Sequence, residues 1–368
     1  MNKWILLVLM IYLTISSCTN ENTIVEYVEK ETSWKQDSRI QYEQTILMNS
    51  HFSGGILYLL GNYNYTKISI TEELPNSTFG EDVLHYPLVF DYQFDSKFPI
   101  MDNYYIAVSN EYNRLVIVPN DLPNYNKTRK IIPFEEIDSN FYCFELNNYS
   151  NGECIGVTKN NFCLVPYRTH KNNLISSAPK FLLMKILTQN ISNEYWMDTA
   201  FTMIIEFPKD EIDSYQIIRS LISVSDGFIF SGLDKTYKID TTGNTSKVYD
   251  GKIMRAINKN NSLFGFTKSK YLKSTNEGLS WSEIGEIDFN FSNMNYSAIK
   301  DSLIGYYNSQ IFSINLKEND VTVCELDNNG LEGKSITSIT EVADSLVYIT
   351  TLNGLFYQSL DDFFKTKK

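Results

Sequence analysis

Three histidines and six arginines are very few for 368 residues, and the shortage closes several classes of chemistry. His51, His85 and His170 lie far apart, with no second histidine nearby in sequence. Activating a serine needs a histidine beside it, and no Gly-x-Ser-x-Gly segment occurs. The five cysteines include no Cys-x-x-Cys pair and no His–Cys spacing of the kind that holds zinc. Glycine-rich phosphate loops are missing as well, because the 17 glycines are scattered over turns. No acidic loop has the ligand spacing of an EF-hand. No apolar run reaches the roughly 20 residues that a membrane-spanning helix needs. Basic residues are outnumbered by acidic ones, 32 against 44, giving a formal charge of −12. An acidic chain lacks the clustered lysine and arginine that nucleic-acid binding requires. The residues therefore define no catalytic site, metal site or cofactor site.

The amino terminus carries the sharpest signal. Lys3 is followed by an almost unbroken apolar run from Trp4 to Leu13, then by Ile15-Ser16-Ser17-Cys18. A basic end, a short apolar stretch and small residues before a cut site make a secretory signal. The segment resembles the lipobox of bacterial lipoproteins. That resemblance implies cleavage before Cys18, a diacylglycerol on its thiol and a further acyl chain on the new amino terminus. Two or more chains give a stable anchor. Residues 1–17 are thus expected to be the leader, and 18–38 a polar, charged, lipidated tether. Loss of Lys3 would take the formal charge to −13. Thr19 stands where an aspartate would imply retention at the inner membrane, so the resemblance points to the outer membrane. Abundant Asn, Lys, Ile and Tyr resemble the lipoproteins of Bacteroidetes.

Residues 39–368 are expected to form one all-β domain. Strand–turn–strand units start at Gly227, Ser262, Ser302 and Ser345, spaced 35, 40 and 43 residues apart. Each joins an apolar strand to an alternating one through a short polar turn. A shorter apolar strand precedes each: Ile217 to Ile222, Ile253 to Ile257, Tyr296 to Ile299 and Ile336 to Ile339. The first half repeats less clearly, with hairpins from Gly55, Tyr104 and Cys154. A further hairpin is expected from Phe181 to Ile186 and Phe201 to Phe207, with a loop between. Periods of this size belong to β-propellers with four-stranded blades. Seven blades fit best, with six or eight as alternatives. Too few residues follow Ser359 for a last outer strand, so a strand between Thr23 and Leu47 is expected to close the ring. Tyr63, Tyr65, Tyr104, Tyr105, Tyr306 and Tyr307 read as packing between blades at alternating strand positions, with stacking on sugars or filling an interface as the alternative.

Ser274-Thr275-Asn276-Glu277-Gly278-Leu279-Ser280-Trp281 resembles the Asp-box of BNR-repeat, sialidase-like propellers, with Asn276 in the aspartate's place. The resemblance implies a turn between the third and fourth strands of a blade. Ser274 and Asn276 would bond the turn backbone, Gly278 would supply a positive φ, and Trp281 would anchor the turn from below. Ser359-Leu360-Asp361-Asp362 looks like a decayed second copy. The box is structural and marks enzymes and binding proteins alike.

Cys154 and Cys163 flank a turn at Lys159-Asn160-Asn161, so a disulfide and two buried thiols are both open readings. Arg219 and Arg255 hold like positions in adjacent inner strands and are expected to face the central channel. Sialidases use three arginines and an Arg-Ile-Pro motif, whereas Arg39-Ile40 here is followed by Gln41. The reading that results is a lipid-anchored envelope propeller that binds a protein or glycan without catalysis. The alternative is an envelope glycoside hydrolase or lyase, sialidase-like, working at the channel mouth.

Overall fold

The computed structural model describes residues 33–40, 46–62, 64–70, 83–87, 97–120, 129–145, 155–171, 174–175, 179–191, 194–206, 221–232, 234–259, 262–286, 294–317 and 320–367. Seven antiparallel sheets form a ring, a seven-bladed β-propeller. Blade one holds β2 (Leu47–Ser53), β3 (Ile56–Gly61), β4 (Asn64–Ser69) and β5 (Val83–Pro87). Blade two holds β6 (Tyr104–Ser109), β7 (Arg114–Pro119) and β8 (Lys130–Pro133), with an Ile100–Tyr105 bridge on the inner side. A four-residue helix α1 (Phe134–Ile137) leads out of it.

Blade three is enlarged. Its path runs β10 (Gly156–Val157), β11 (Phe162–Lys171), β13 (Lys180–Ile191) and β14 (Glu194–Glu206), with β9 (Phe141–Phe144) and β12 (Leu174–Ile175) also on β11. Blade four holds β15 (Leu221–Val224), β16 (Gly227–Ser231), β17 (Thr236–Asp240) and β18 (Thr245–Tyr249). Blade five holds β19 (Arg255–Lys259), β20 (Ser262–Phe266), β21 (Lys270–Ser274) and β22 (Ser282–Glu286). Blade six holds β23 (Asn295–Ile299), β24 (Ser302–Tyr307), β25 (Gln310–Lys317) and β26 (Asp320–Glu325). Blade seven holds β27 (Ile336–Val342), β28 (Leu346–Thr351) and β29 (Gly354–Ser359), and then β1 (Lys35–Gln36) from the other end of the chain.

That last pairing closes the ring as the strand count required. Lys35 lies opposite Tyr357 and Gln36 opposite Phe356. The domain takes up the chain from Ser33, so its closing strand comes from within the segment 18–38 read as tether. Trp34 is buried, stands edge-on to Phe363 at 6.0 Å, and donates its indole N–H to the Asp327 carbonyl. Asp327 N bonds the Lys365 carbonyl, so the two ends of the ring meet at one seam. A short helix α2 (Leu360–Phe363) covers that seam.

The core is a series of seams between blades. Trp34, Ile304, Ile349 and Phe356 join blades six and seven. Leu57, Leu59, Val342 and Tyr348 join seven and one. Phe181, Leu183, Phe228 and Phe230 join three and four. Tyr65 and Tyr105 stack at 4.7 Å between one and two. Tyr104 and Tyr306 are also buried, as expected, whereas Tyr307 at the end of β24 is exposed against expectation, because its side chain lies past the packed part of the strand, and Tyr63 lies outside the described residues. Burying each such aromatic or aliphatic side chain is worth about 1.5–3 kcal/mol, and strands such as β6 and β28 are buried on both faces, so the sheets stack radially.

The sequence suggests eight hairpins, but two of them share a sheet. β11 pairs with β13, which fuses the Cys154 and Phe181 hairpins into blade three. The expected loop between Ile186 and Phe201 is instead strand up to Ile191 and again from Glu194. β13 and β14 pair from Lys180–Glu206 to Ile191–Glu194, with one bulge where Lys185 faces Phe201 and Ile186 faces Thr199. Ala200 is the extra residue. It breaks the alternation, which is why one long hairpin reads as two short strands.

Candidate binding site

Within each blade the first-to-second and third-to-fourth turns lie at one end, since antiparallel strands reverse at every turn. Polar side chains organise this end. Ser274 Oγ accepts from Gly278 N at 2.9 Å and donates to Asn276 Oδ1 at 2.9 Å. Asn276 Oδ1 accepts from Ser280 N at 3.0 Å, and its amide nitrogen reaches Ser280 Oγ. Gly278 sits at φ 78° over the Ile229 side chain, where any Cβ would clash. Trp281 donates to the Gly278 carbonyl at 3.2 Å and lies against Gly265. The turn joins β21 to β22, the third and fourth strands of blade five. Glu277 ties it to blade four, accepting from Ser225 N through its carboxylate and from Lys238 Nζ through its carbonyl.

The same turn recurs in other chemistry. Asp240, last in β17, accepts from the backbones of Thr242 and Asn244 and from both side chains. Burial raises its pKa, but those hydrogen bonds outweigh it and hold the carboxyl below the usual range. Ser359, last in β29, caps α2 by accepting from Asp362 N.

The channel is crossed near the opposite end. Lys97 is buried and donates to the Thr337 carbonyl of blade seven at 3.1 Å and to Tyr306 Oη of blade six at 3.4 Å. It leads into blade two, and blades that are not neighbours meet only at the axis. Asn49 of blade one bonds the Phe98 carbonyl beside it. Lower down, Ser50 Oγ contacts Thr340 Oγ1 at 2.7 Å. Arg255, half-buried at the start of β19, donates to the Met254 and Met294 carbonyls, each at 3.0 Å. It thereby braces blade five against the segment entering blade six. Arg219 lies outside the described residues. So do Cys18 and Cys154; Cys163 is buried on β11, opposite Val157 and Met184.

The feature that sequence reasoning missed is the length and exposed surface of the β13–β14 hairpin, whose two strands were expected but with a loop between Ile186 and Phe201. β13 pairs with β11 only over Lys180–Lys185, so Ile186–Ile191 and their partners overhang the sheet. Met184, Ile186 and Met197 pack inward against blade two, and Lys130 Nζ bonds Asp198 at 2.8 Å. The other face carries Trp196, Phe201, Met203 and Ile205. Among the described residues, four of the eight exposed large apolar side chains lie on this one hairpin: Ile191, Trp196, Met203 and Ile204. Trp196 is 36% exposed and Ile191 49%. Concentration of this kind marks a contact surface.

No family model matches the chain, and no curated protein matches it. Solved structures share its fold. YCF48 bound to D1 peptide aligns over 92% of this chain and 98% of its own, at 11% identity and a TM-score of 0.51. The extracellular domain of the hybrid two-component system BT4673 from B. thetaiotaomicron aligns over 89% at 8% identity and a TM-score of 0.48. PorZ, a surface component of the type-IX secretion system of Porphyromonas gingivalis, aligns over 91% at 7% identity and a TM-score of 0.49. This chain spans 39% of the length of each of the last two. The likeness to YCF48 is one of fold, and the seven sheets place this chain among seven-bladed propellers.

Proposed function

We propose that this chain is a non-catalytic binding or scaffold module, held at the outer membrane by lipid on Cys18, that docks a protein partner. The observation that carries the reading is the exposed apolar hairpin of blade three. Among the described residues this hairpin alone carries four exposed large apolar side chains, the other four being spread over the ring, and Arg255 bonds main-chain carbonyls. A propeller of this fold, YCF48, has been solved with a peptide bound, which agrees with the reading. Function lies in sites placed on a fold, and this hairpin is the departure from the repeat. The Ser274–Trp281 turn is read as an Asp-box variant with a structural role, Asn276 replacing the family's aspartate.

Two measurements test the parts separately. Labelled palmitate should enter the wild-type protein and not Cys18→Ser, which should leave the membrane fraction. Equal labelling of both removes the anchor. Chemical cross-linking of intact membranes should give a defined adduct with one envelope protein. A ladder without a dominant species, or monomer alone, contradicts the binding reading.

A further inference from the structure

At the end of the ring that carries the first-to-second turns, side chains tie some neighbouring blades together. Between blades one and two, His51 Nε2 lies 2.8 Å from Asp102 Oδ1. Between blades six and seven, Glu341 accepts from Lys300 N at 2.6 Å. Between blades five and six a cleft of about 130 Å³ opens at this end, lined wholly by described residues. Ile257, Ala298 and Leu303 give it an apolar side. Asn258 of β19 and the adjacent pair Lys300 and Asp301 of the β23–β24 turn give it an amide, an ammonium and a carboxylate. Among the described residues no hydrogen bond or ion pair engages these three polar side chains, and Lys300 and Asp301 do not pair with each other. The Lys300 main chain holds φ 49°, and its N–H is fixed by Glu341.

We propose that this cleft binds a small zwitterion, an α-amino acid with a short apolar side chain. The size sets the first limit. A cavity of about 150 Å³ holds benzene, so this cleft takes a ligand of about six to nine non-hydrogen atoms. Drug-sized ligands and cofactors need about 300 Å³ or more. The charges set the second limit. A simple anion would meet Lys300 but face Asp301, and a simple cation would do the reverse. A neutral sugar would leave both charges without a counterpart. A zwitterion answers both: its carboxylate meets Lys300 and the Asn258 amide, its ammonium meets Asp301, and its side chain covers the apolar side. Ion pairs at a surface contribute little each, so the dissociation constant should be about 1 mM. The site goes beyond the protein-docking reading and lies on different blades from its hairpin.

The test is a titration of the full mature protein, labelled at its methyl groups, with valine, isovalerate and isobutylamine. Isovalerate is valine without its ammonium, and isobutylamine is valine without its carboxylate. Valine should shift the Ile257, Ala298 and Leu303 methyl signals together, and each single-charge analogue should bind about threefold more weakly. Asp301→Asn should weaken valine and isobutylamine about threefold and leave isovalerate no weaker. Lys300→Gln should weaken valine and isovalerate and leave isobutylamine no weaker. A substitution that merely disturbed the turn would weaken all three ligands alike, and that result overturns the assigned roles. Circular dichroism confirms that each variant is folded. Should one fail to fold, the three ligands on the wild type still decide. No shift at valine concentrations well above a millimolar overturns the proposal, as does an analogue that binds as tightly as valine. Glucose moving the same methyl signals while valine does not assigns the cleft to a neutral sugar and also overturns it. None of these outcomes bears on the hairpin of blade three, so failure here leaves the docking reading standing.

Discussion

Ring closure depends on a two-residue strand, so the side chains beside it must hold the seam. Replacing Asp37 with alanine exposes how. Asp37 and Arg39 follow β1 and are buried, with side chains 0% and 6% exposed. Arg39 Nη2 lies 2.7 Å from Asp37 Oδ2, and Nε lies 3.0 Å from Oδ1, a two-pronged pair. Arg39 Nη2 also donates to Tyr348 Oη of β28 at 3.1 Å. Burial lowers the Arg39 pKa, but the Asp37 bond outweighs it and the net shift is upward. Removing Asp37 takes away that support, yet the guanidinium stays charged, because arginine is not deprotonated in proteins. An uncompensated buried charge costs about 3–5 kcal/mol, and the melting temperature should fall by roughly 5–10 °C. Calorimetry or circular dichroism reads the shift. The double variant Asp37→Leu with Arg39→Met removes both charges, and should recover most of that loss because a buried pair is often replaceable by apolar residues. A single variant that melts with wild type, or a double variant no better than the single, would refute the clasp.

Other consequences are open to the same methods. Asp138 accepts from Tyr167 Oη, Lys180 Nζ and Asn140 N. Burial raises its pKa, yet those bonds, Lys180 foremost, hold it below the usual carboxylate range. Its stabilisation is present above the unfolded carboxylate pKa, near 4, and is lost as pH falls through the folded value. The melting gap between wild type and Asp138→Asn should shrink below about pH 4; a gap independent of pH contradicts this. Gly278 and Gly333 share left-handed φ values, 78° and 70°, but a Cβ meets Ile229 at the first and open space at the second. Gly278→Ala should therefore cost about 1–3 kcal/mol more than Gly333→Ala, and equal losses would mean that only φ matters. Ser274→Ala should cost about 1 kcal/mol for its lost turn bonds, whereas Asn276→Asp should melt with wild type, since the accepting oxygen is retained.

Legibility followed repetition. Blades four to seven were readable because their turns recur at a near-constant spacing and each turn names itself through Ser, Asp, Asn or Gly. The inner strand before β20 was placed within two residues of β19. Counting strands after Ser359 revealed that another segment must complete blade seven, though not that Lys35–Gln36 would do so. Blade three resisted because β9 and β10 share one neighbour and the Ala200 bulge interrupts alternation. Lys97 was invisible in principle, since its partners lie 209 and 240 residues away and meet it only after the ring closes. The Ser274–Trp281 turn was legible because it is local. The β13–β14 surface was not, because exposure depends on where β11 stops.

The most direct test of the account is a photo-crosslinking amino acid placed at Trp196 in living cells, with Leu279 as the control. Both positions are exposed, but Leu279 belongs to a structural turn. The account predicts one strong adduct with an envelope protein from position 196 and none from 279. Adducts of equal strength from both positions, or none from 196, would contradict it.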